Sequence, residues 1–259
     1  MMRLFLLAAL PVLAFAPPTA RAEDKPKESR LFELRVYTAN EGKLDAIHKR
    51  TKDAGLKLLE KHGMTVLGVW SPVDPKDARF FLLLAHKDRT ARDASFKAFA
   101  ADPEWVKVRD ESEKDGKLVS KAEEIFLTAT DYSPAIQLGD HDAGRVFELR
   151  TYTATEGKLD NLNARFRDHT VKLFEKHGMT NWVYWNYAKG TKGDDAMLVY
   201  FLTHASQDAA KKSFGSFGKD PDWVAARKAS EEKAGGSLTA AKDGVKSVFL
   251  KPTDYSPTK

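Results

Sequence analysis

The sequence predicts an α+β fold made of two ferredoxin-like βαββαβ units packed sheet to sheet within one chain. Three observations lead there. One strand-like stretch occurs twice, Phe32-Glu33-Leu34-Arg35-Val36-Tyr37-Thr38-Ala39 returning as Phe147-Glu148-Leu149-Arg150-Thr151-Tyr152-Thr153-Ala154. Each copy opens the same order of periodicities: strand, helix, two strands, helix, strand. Helices lie on only one face of each such sheet, so the other face needs cover, and pairing the two bare faces buries both.

The repeated stretch alternates. Phe32, Leu34 and Val36 fall on one face and Glu33, Arg35 and Tyr37 on the other, which is the period of a strand over about 31–38. Asn40-Glu41-Gly42 opens a helix whose apolar stripe is Leu44, Ile47, Ala54 and Leu58. Gly63 ends it, with Lys61 and His62 in the last turn, where the helix dipole favours cations. Val66 to Trp70 is the second strand, the prolines and aspartates of 71–77 form a turn, and Arg79 to His86 is the third strand. A helix covers roughly 91–100. Asp102-Pro103 starts the next one, because Asp suits an N-cap and Pro the first helical position, and it runs to about Lys114. Glu123 to Thr128 is the fourth strand, and Asp131-Tyr132-Ser133-Pro134 closes the unit.

The second half repeats these signals. Leu58-Leu59-Glu60-Lys61-His62-Gly63-Met64 returns as Leu173-Phe174-Glu175-Lys176-His177-Gly178-Met179, Asp102-Pro103-Glu104-Trp105 as Asp220-Pro221-Asp222-Trp223, and Asp131-Tyr132-Ser133-Pro134 as Asp254-Tyr255-Ser256-Pro257. The spacing between copies changes only at loops, as a structural repeat requires. The units are 31–134 and 145–257, joined by a linker at 135–144.

Residues 1–22 differ from the rest. Met1-Met2-Arg3 is a short basic start, Leu4 to Ala16 is apolar, and Ala20-Arg21-Ala22 fits a signal-peptidase site. The apolar run is shorter than the roughly 20 residues that span a bilayer. The reading is a secretory signal cleaved after Ala22, a flexible leader at 23–30, and a secreted or periplasmic protein with no membrane segment after cleavage. Two of the 42 basic residues, Arg3 and Arg21, belong to this signal, so the remainder nearly balances the 37 acidic residues. The charges are interleaved, which argues against a nucleic-acid partner. The chain has no Cys, excluding disulfides, thiolate metal sites and Cys nucleophiles. Metal-ligand spacing, a phosphate loop and a Gly-x-Ser-x-Gly elbow are absent from the sequence, so no metal and no cofactor is expected.

Phe-Glu-Leu-Arg-x-Tyr-Thr, Glu-Gly-Lys-Leu-Asp, Leu/Phe-Glu-Lys-His-Gly-Met, Asp-Pro-Glu/Asp-Trp and the closing Tyr-Ser-Pro together resemble the NIPSNAP family, over nearly all of 31–134 and 146–257. The resemblance implies a dimeric α/β-barrel fold, and the one-sided helical cover of each sheet predicts a monomer with internal pseudo-twofold symmetry, with further association possible. It brings no settled set of catalytic residues. Related barrels include cofactor-independent monooxygenases, haem enzymes and small-ligand binders, an analogy at the level of fold.

Four sets of residues can carry chemistry. Glu33, Arg35 and Tyr37, with Glu148, Arg150 and Tyr152, face the barrel interior if Phe32 and Leu34 face the helices. There they either hold an anionic or phenolic ligand or form a structural ion pair. His62 and His177 are helix caps or bases at a pocket rim. His86 and His204 end the third strand of each unit, as structural groups or at the rim. Trp70 and Trp185, with Trp182, Tyr184 and Tyr187, line a cavity or fill a core, whereas Trp105 and Trp223 read as core. Val66 against Asn181 and Gly68 against Val183 mark where one copy has specialised. The functional expectation is an exported protein that binds a small apolar or aromatic ligand in the barrel. Two alternatives stand beside it: a cofactor-independent monooxygenase or isomerase, and a structural or protein-interaction module with a filled barrel.

Overall fold

The computed structural model describes residues 29–139 and 144–259. The expected signal segment at 1–22, most of the leader, and Asp140, His141 and Asp142 of the linker lie outside the described residues. In the first unit, β1 (Leu31–Ala39) is followed by α1 (Leu44–Arg50), a π-wound turn (Thr51–Gly55) and α2 (Leu56–Lys61). Then come β2 (Thr65–Pro72), β3 (Arg79–His86), α3 (Arg89–Ala101), α4 (Pro103–Ser112) and β4 (Val119–Ala129). The second unit repeats this as β5 (Val146–Thr153), α5 (Leu159–Arg165), a π-wound turn (Phe166–Thr170), α6 (Val171–Lys176), β6 (Thr180–Tyr187), β7 (Met197–His204), α7 (Gln207–Phe217), α8 (Pro221–Lys233) and β8 (Val245–Pro252). Asp102 and Asp220 cap α4 and α8 as the Asp-Pro signal requires, each accepting from the backbone N–H two residues on. The helix read as one continuous stripe carries an extra residue per turn in its middle in both units.

The eight strands close into a barrel in the order β1-β3-β2-β8-β5-β7-β6-β4, with β4 pairing back to β1. The units meet along two short antiparallel seams, Trp70–Pro72 on Leu250–Pro252 and Leu127–Ala129 on Trp185–Tyr187. Pairing all four outer edges removes the exposed strand edges a lone sheet would present. The closing Tyr-Ser-Pro segments fasten the seams by crossing over. Tyr132 donates to Asn163 Oδ1 of the other unit at 2.8 Å, and Ser133 Oγ accepts from Tyr184 N–H at 3.0 Å. Reciprocally, Tyr255 Oη lies 2.7 Å from His48 Nδ1, and Ser256 Oγ accepts from Val69 N–H at 2.9 Å.

The barrel interior is apolar and shared. Phe32, Leu34, Trp70 and Leu83 of one unit pack with Phe147, Leu149, Trp182, Trp185 and Phe201 of the other. Trp70 stacks on Phe201 with centroids 5.3 Å apart and meets Phe147 and Trp182, while Trp185 lies 5.5 Å from Phe32. Contacts of this kind contribute about 0.5–1.5 kcal/mol each beyond area burial. Gly68 makes room here: a Cβ at that position would lie 1.9 Å from the Trp70 indole.

This reverses one expectation. Phe32 and Leu34 face the barrel interior, and Glu33, Arg35 and Tyr37 face the helices. Here both faces are buried, and the larger aromatic load goes to the interior that two units share. The helix side tolerates ionic groups because they pair with one another there, Glu33 with Arg35 and His86, and Glu148 with Arg150 and His204.

Candidate functional site

Between each sheet and its helices lies a second core, and the repeated strand brings its polar face there. In the first unit the Glu33 carboxylate is fully buried. It accepts from Arg35 Nη1 at 2.5 Å, from Arg92 Nη2 at 2.6 Å and Nε at 2.9 Å, and from His86 Nε2 at 3.1 Å. Burial by itself would raise this carboxyl. The hydrogen bonds from Arg92 and His86 and the charges of Arg35 and Arg92 outweigh it and hold the group at about 2. In the second unit Glu148 accepts from Arg150 Nη1 at 2.5 Å and His204 Nε2 at 3.0 Å, and Ala210 stands where Arg92 would be. Burial again opposes ionisation, and the bonds from His204 and Arg150 again win and lower the Glu148 carboxyl.

Arg35 also bonds outward. Its Nε donates to Tyr37 Oη at 2.5 Å, and its guanidinium lies 4.5 Å from the Phe96 ring centroid. Arg35 and Tyr37 form one wall of a cavity of about 130 Å³. The helical wall is Arg50, Thr51 and Gly55, and the floor is Leu82, Phe96, Phe99 and Trp105. Arg50 is tied back to Glu113 Oε1 at 2.9 Å and lies 5.3 Å from the Trp105 ring centroid. The Tyr37 bond uses the phenol oxygen as acceptor and leaves its hydrogen for a further acceptor. The π-wound turn supplies Thr51 and Gly55 from one face, and such turns are frequent at functional sites.

The second unit fills the same space. Thr51 is matched by Phe166, Gly55 by Thr170, Leu59 by Phe174 and Leu82 by Tyr200, and all four replacements are buried. Phe166 lies 5.3 Å from Tyr200, Tyr200 stacks on Tyr184 at 5.0 Å, and Tyr200 Oη accepts from Arg150 Nε at 2.9 Å. What remains is a wider groove of about 430 Å³ nearer the surface, bounded by Tyr152, Arg165, Trp223, Arg227 and Glu231.

The predicted residues therefore separate. Arg35 and Tyr37 line the cavity of the first unit, and Tyr152 borders the groove of the second. Glu33 and Glu148 lie behind them, buried as structural ion-pair partners of the arginines. Trp70 and Trp185 line neither space; with Phe32, Phe147, Trp182 and Phe201 they fill one part of the barrel, while Leu34, Val36, Phe81, Leu149, Tyr187 and Val199 line a more open space of about 590 Å³ in another part of it. His86 and His204 are buried against the two glutamates rather than set at a rim. His62 and His177 bond the helix-capping Asp102 and Asp220 at 2.7 and 2.6 Å, latching α2 to α4 and α6 to α8, and neither borders the cavity or the groove. Val66 against Asn181 and Gly68 against Val183 reflect packing: Gly68 clears Trp70, and Asn181 bonds Tyr184, the Val171 carbonyl and Glu175. Sequence reasoning missed Arg50, Thr51, Gly55 and Leu82 and read Trp105 as core. Aligning the two repeats position by position would have shown an aromatic residue in the second unit at two of these sites, Phe166 against Thr51 and Tyr200 against Leu82. Among the described residues no group of three His, Asp or Glu is placed to hold a metal.

Comparison with known proteins agrees with this architecture. The NIPSNAP family model matches twice, over residues 32–134 and 147–257, and the chain belongs to that family. Among solved structures, a candidate monooxygenase of Fusobacterium nucleatum is similar with a TM-score of 0.58 at 9% identity, covering 89% of this chain and 95% of that one. An anthrone oxidase-like protein is similar at 0.56 and 12% identity, covering 87% and 92%. A candidate monooxygenase of Lactobacillus acidophilus is similar at 0.51 and 12% identity, covering 87% and 94%. At these identities the likeness is one of fold. No curated protein matches the sequence.

Proposed function

We propose that this NIPSNAP-family chain binds a small apolar or aromatic molecule, and that the first unit's cavity between sheet and helices is the site. The observation that carries the reading is the cavity itself. It measures about 130 Å³, and an engineered apolar cavity of about 150 Å³ in another protein takes up benzene. Its lining is mostly apolar and aromatic, with Arg50 and Thr51 on the helical side and, on the sheet side, Tyr37 held by Arg35, which offers a hydroxyl hydrogen to a ligand oxygen. Trp105 at the floor is a built-in reporter. Titration with phenol and toluene should change its fluorescence, and the change should vanish in Trp105→Phe. Thr51→Phe and Leu82→Tyr, which copy the second unit, should abolish binding and leave the protein folded. Binding unaltered by both substitutions would end the proposal.

Catalysis is the second reading, and Tyr37 favours it. Among the lining residues it is the one able to give or take a proton, since the arginines stay charged. If the cavity turns over phenolic compounds with oxygen and no cofactor, oxygen uptake should accompany their addition and fall in Tyr37→Phe. Export completes the proposal. It rests on the basic start, apolar run and Ala20-Arg21-Ala22 of the sequence, and N-terminal sequencing of secreted protein should begin at Glu23. Among the described residues no helix is long and apolar enough to cross a membrane. A monomer is proposed because the second unit already occupies the partner's place, and light scattering tests it.

A further inference from the structure

The groove of the second unit carries a different chemistry. Arg165 ends α5 with its side chain 95% buried, and its Nε and Nη1 have no hydrogen-bond partner. Its nearest carboxylate, Glu231, stands 3.5 Å away and is shared with Arg227 at 3.6 Å. The first unit closes the matching pair: Arg50 reaches Glu113 at 2.9 Å and Ser112 at 3.3 Å, and Arg109 is drawn aside to Asp110 at 2.8 Å. Lys228 occupies the place of Asp110 in the second unit, so Arg227 has no such neighbour. Two guanidinium groups thus face one carboxylate, and neither is bonded to it at hydrogen-bond distance. A buried arginine with unused donors is costly, and an anion at its side offsets that cost.

We propose that this groove is a binding site for a small organic carboxylate with a flat apolar body. The charge would sit against Arg165 and Arg227, which border the groove of about 430 Å³. The body would lie on Trp223, whose ring centroid is 5.2 Å from the Arg165 guanidinium, and on Phe166 and Phe217, which also border the groove. This site is separate from the ring-sized cavity of the first unit in residues, size and charge.

Benzoate is the probe, with benzyl alcohol as its uncharged counterpart, added to the full chain. Benzoate should quench fluorescence saturably, the response should vanish in Trp223→Phe, and Trp105→Phe should leave it intact. Benzyl alcohol should bind more weakly by about tenfold or more. Arg165→Met should weaken benzoate by about tenfold or more without lowering the melting temperature, since it removes an under-bonded buried charge. Glu231→Gln moves the opposite way: removing the competing carboxylate should tighten benzoate several-fold. Equal affinity for the two probes, unchanged affinity in Arg165→Met, or weaker binding in Glu231→Gln would overturn the proposal. Thr51→Phe should not alter benzoate binding, so failure here and failure of the first-unit site are told apart.

Discussion

The helix–sheet layers of the two units start from one blueprint and end in opposite states. In the first, Thr51, Gly55 and Leu82 leave a ring-sized cavity beside Arg35 and Tyr37. In the second, Phe166, Thr170 and Tyr200 occupy that space, and Tyr200 takes a hydrogen bond from Arg150. The ionic layers diverge in parallel. Glu33 is held by two arginines and a histidine, whereas Glu148 has one arginine and a histidine. Duplication thus leaves one copy with a ring-sized cavity and the other with a wider groove displaced towards the surface. The barrel constrains both alike, since the interior rings interlock across the units.

The sharpest break of this comparison is the loss of each strand arginine. Arg150→Met leaves the buried Glu148 with His204 alone and strips Tyr200 of its donor, so it should cost about 3–5 kcal/mol. Arg35→Met leaves Glu33 bonded twice by Arg92 and once by His86, and should cost only about 1–2 kcal/mol. Urea unfolding of the two variants measures the difference. Adding Arg92→Ala to Arg35→Met should bring the first unit to the level of the second. Equal costs for the two single variants would show that Arg92 does not substitute for Arg35.

Acid probes the same carboxylates. The folded Glu33 group titrates at about 2 against an ordinary 4.5. A depressed folded value gives stability that is complete above pH 4.5 and is lost as pH falls towards 2. The contribution is on the order of 3 kcal/mol. Unfolding curves between pH 7 and pH 2.5 should follow that slope, and Arg92→Ala, which removes a group that lowers the Glu33 carboxyl, should make the loss over that range smaller. Glu148, also lowered, contributes with the same sign.

Most of the fold was legible because its signals are local and doubled. Strand alternation, the Asp-Pro caps and the glycine after each Lys-His are read from a few adjacent residues, and the second copy checks the first. The facing of β1 was not legible. Alternation says that Phe32 and Glu33 lie on opposite sides, but not which side is interior, and here both sides are buried. The site was half legible. Arg35 and Tyr37 stand out in the motif. The opening opposite them depends on Thr51, Gly55 and Leu82, residues of ordinary type whose meaning lies in their being small where the other unit is large. The π-wound turn that presents Thr51 and Gly55 left no periodicity signal, because one inserted residue shifts an apolar stripe too little to notice.

Gly55 gives the smallest and most discriminating test. It sits at the end of the π-wound turn with φ −56° and ψ −49°, ordinary helical values that any residue adopts. A Cβ there would meet the Arg50 carbonyl at 3.4 Å and Thr51 at 3.8 Å, normal contacts. Neither backbone nor neighbours require glycine, and glycine in a helix costs about 1 kcal/mol relative to alanine. Gly55→Ala should therefore stabilise the protein by about 0.5–1 kcal/mol, raising the melting temperature by about 1–4 °C for a chain of this size. The added methyl borders the cavity, so ring-sized ligands should bind more weakly in the same variant. In the second unit Thr170→Gly should do the reverse to stability, losing about 0.3 kcal/mol of helix propensity and the bond from Thr170 Oγ1 to the Arg165 carbonyl. A Gly55→Ala protein that is more stable and still binds phenol as before would place the ligand elsewhere. One that is less stable would mean that the helix needs its glycine for a reason other than the opening.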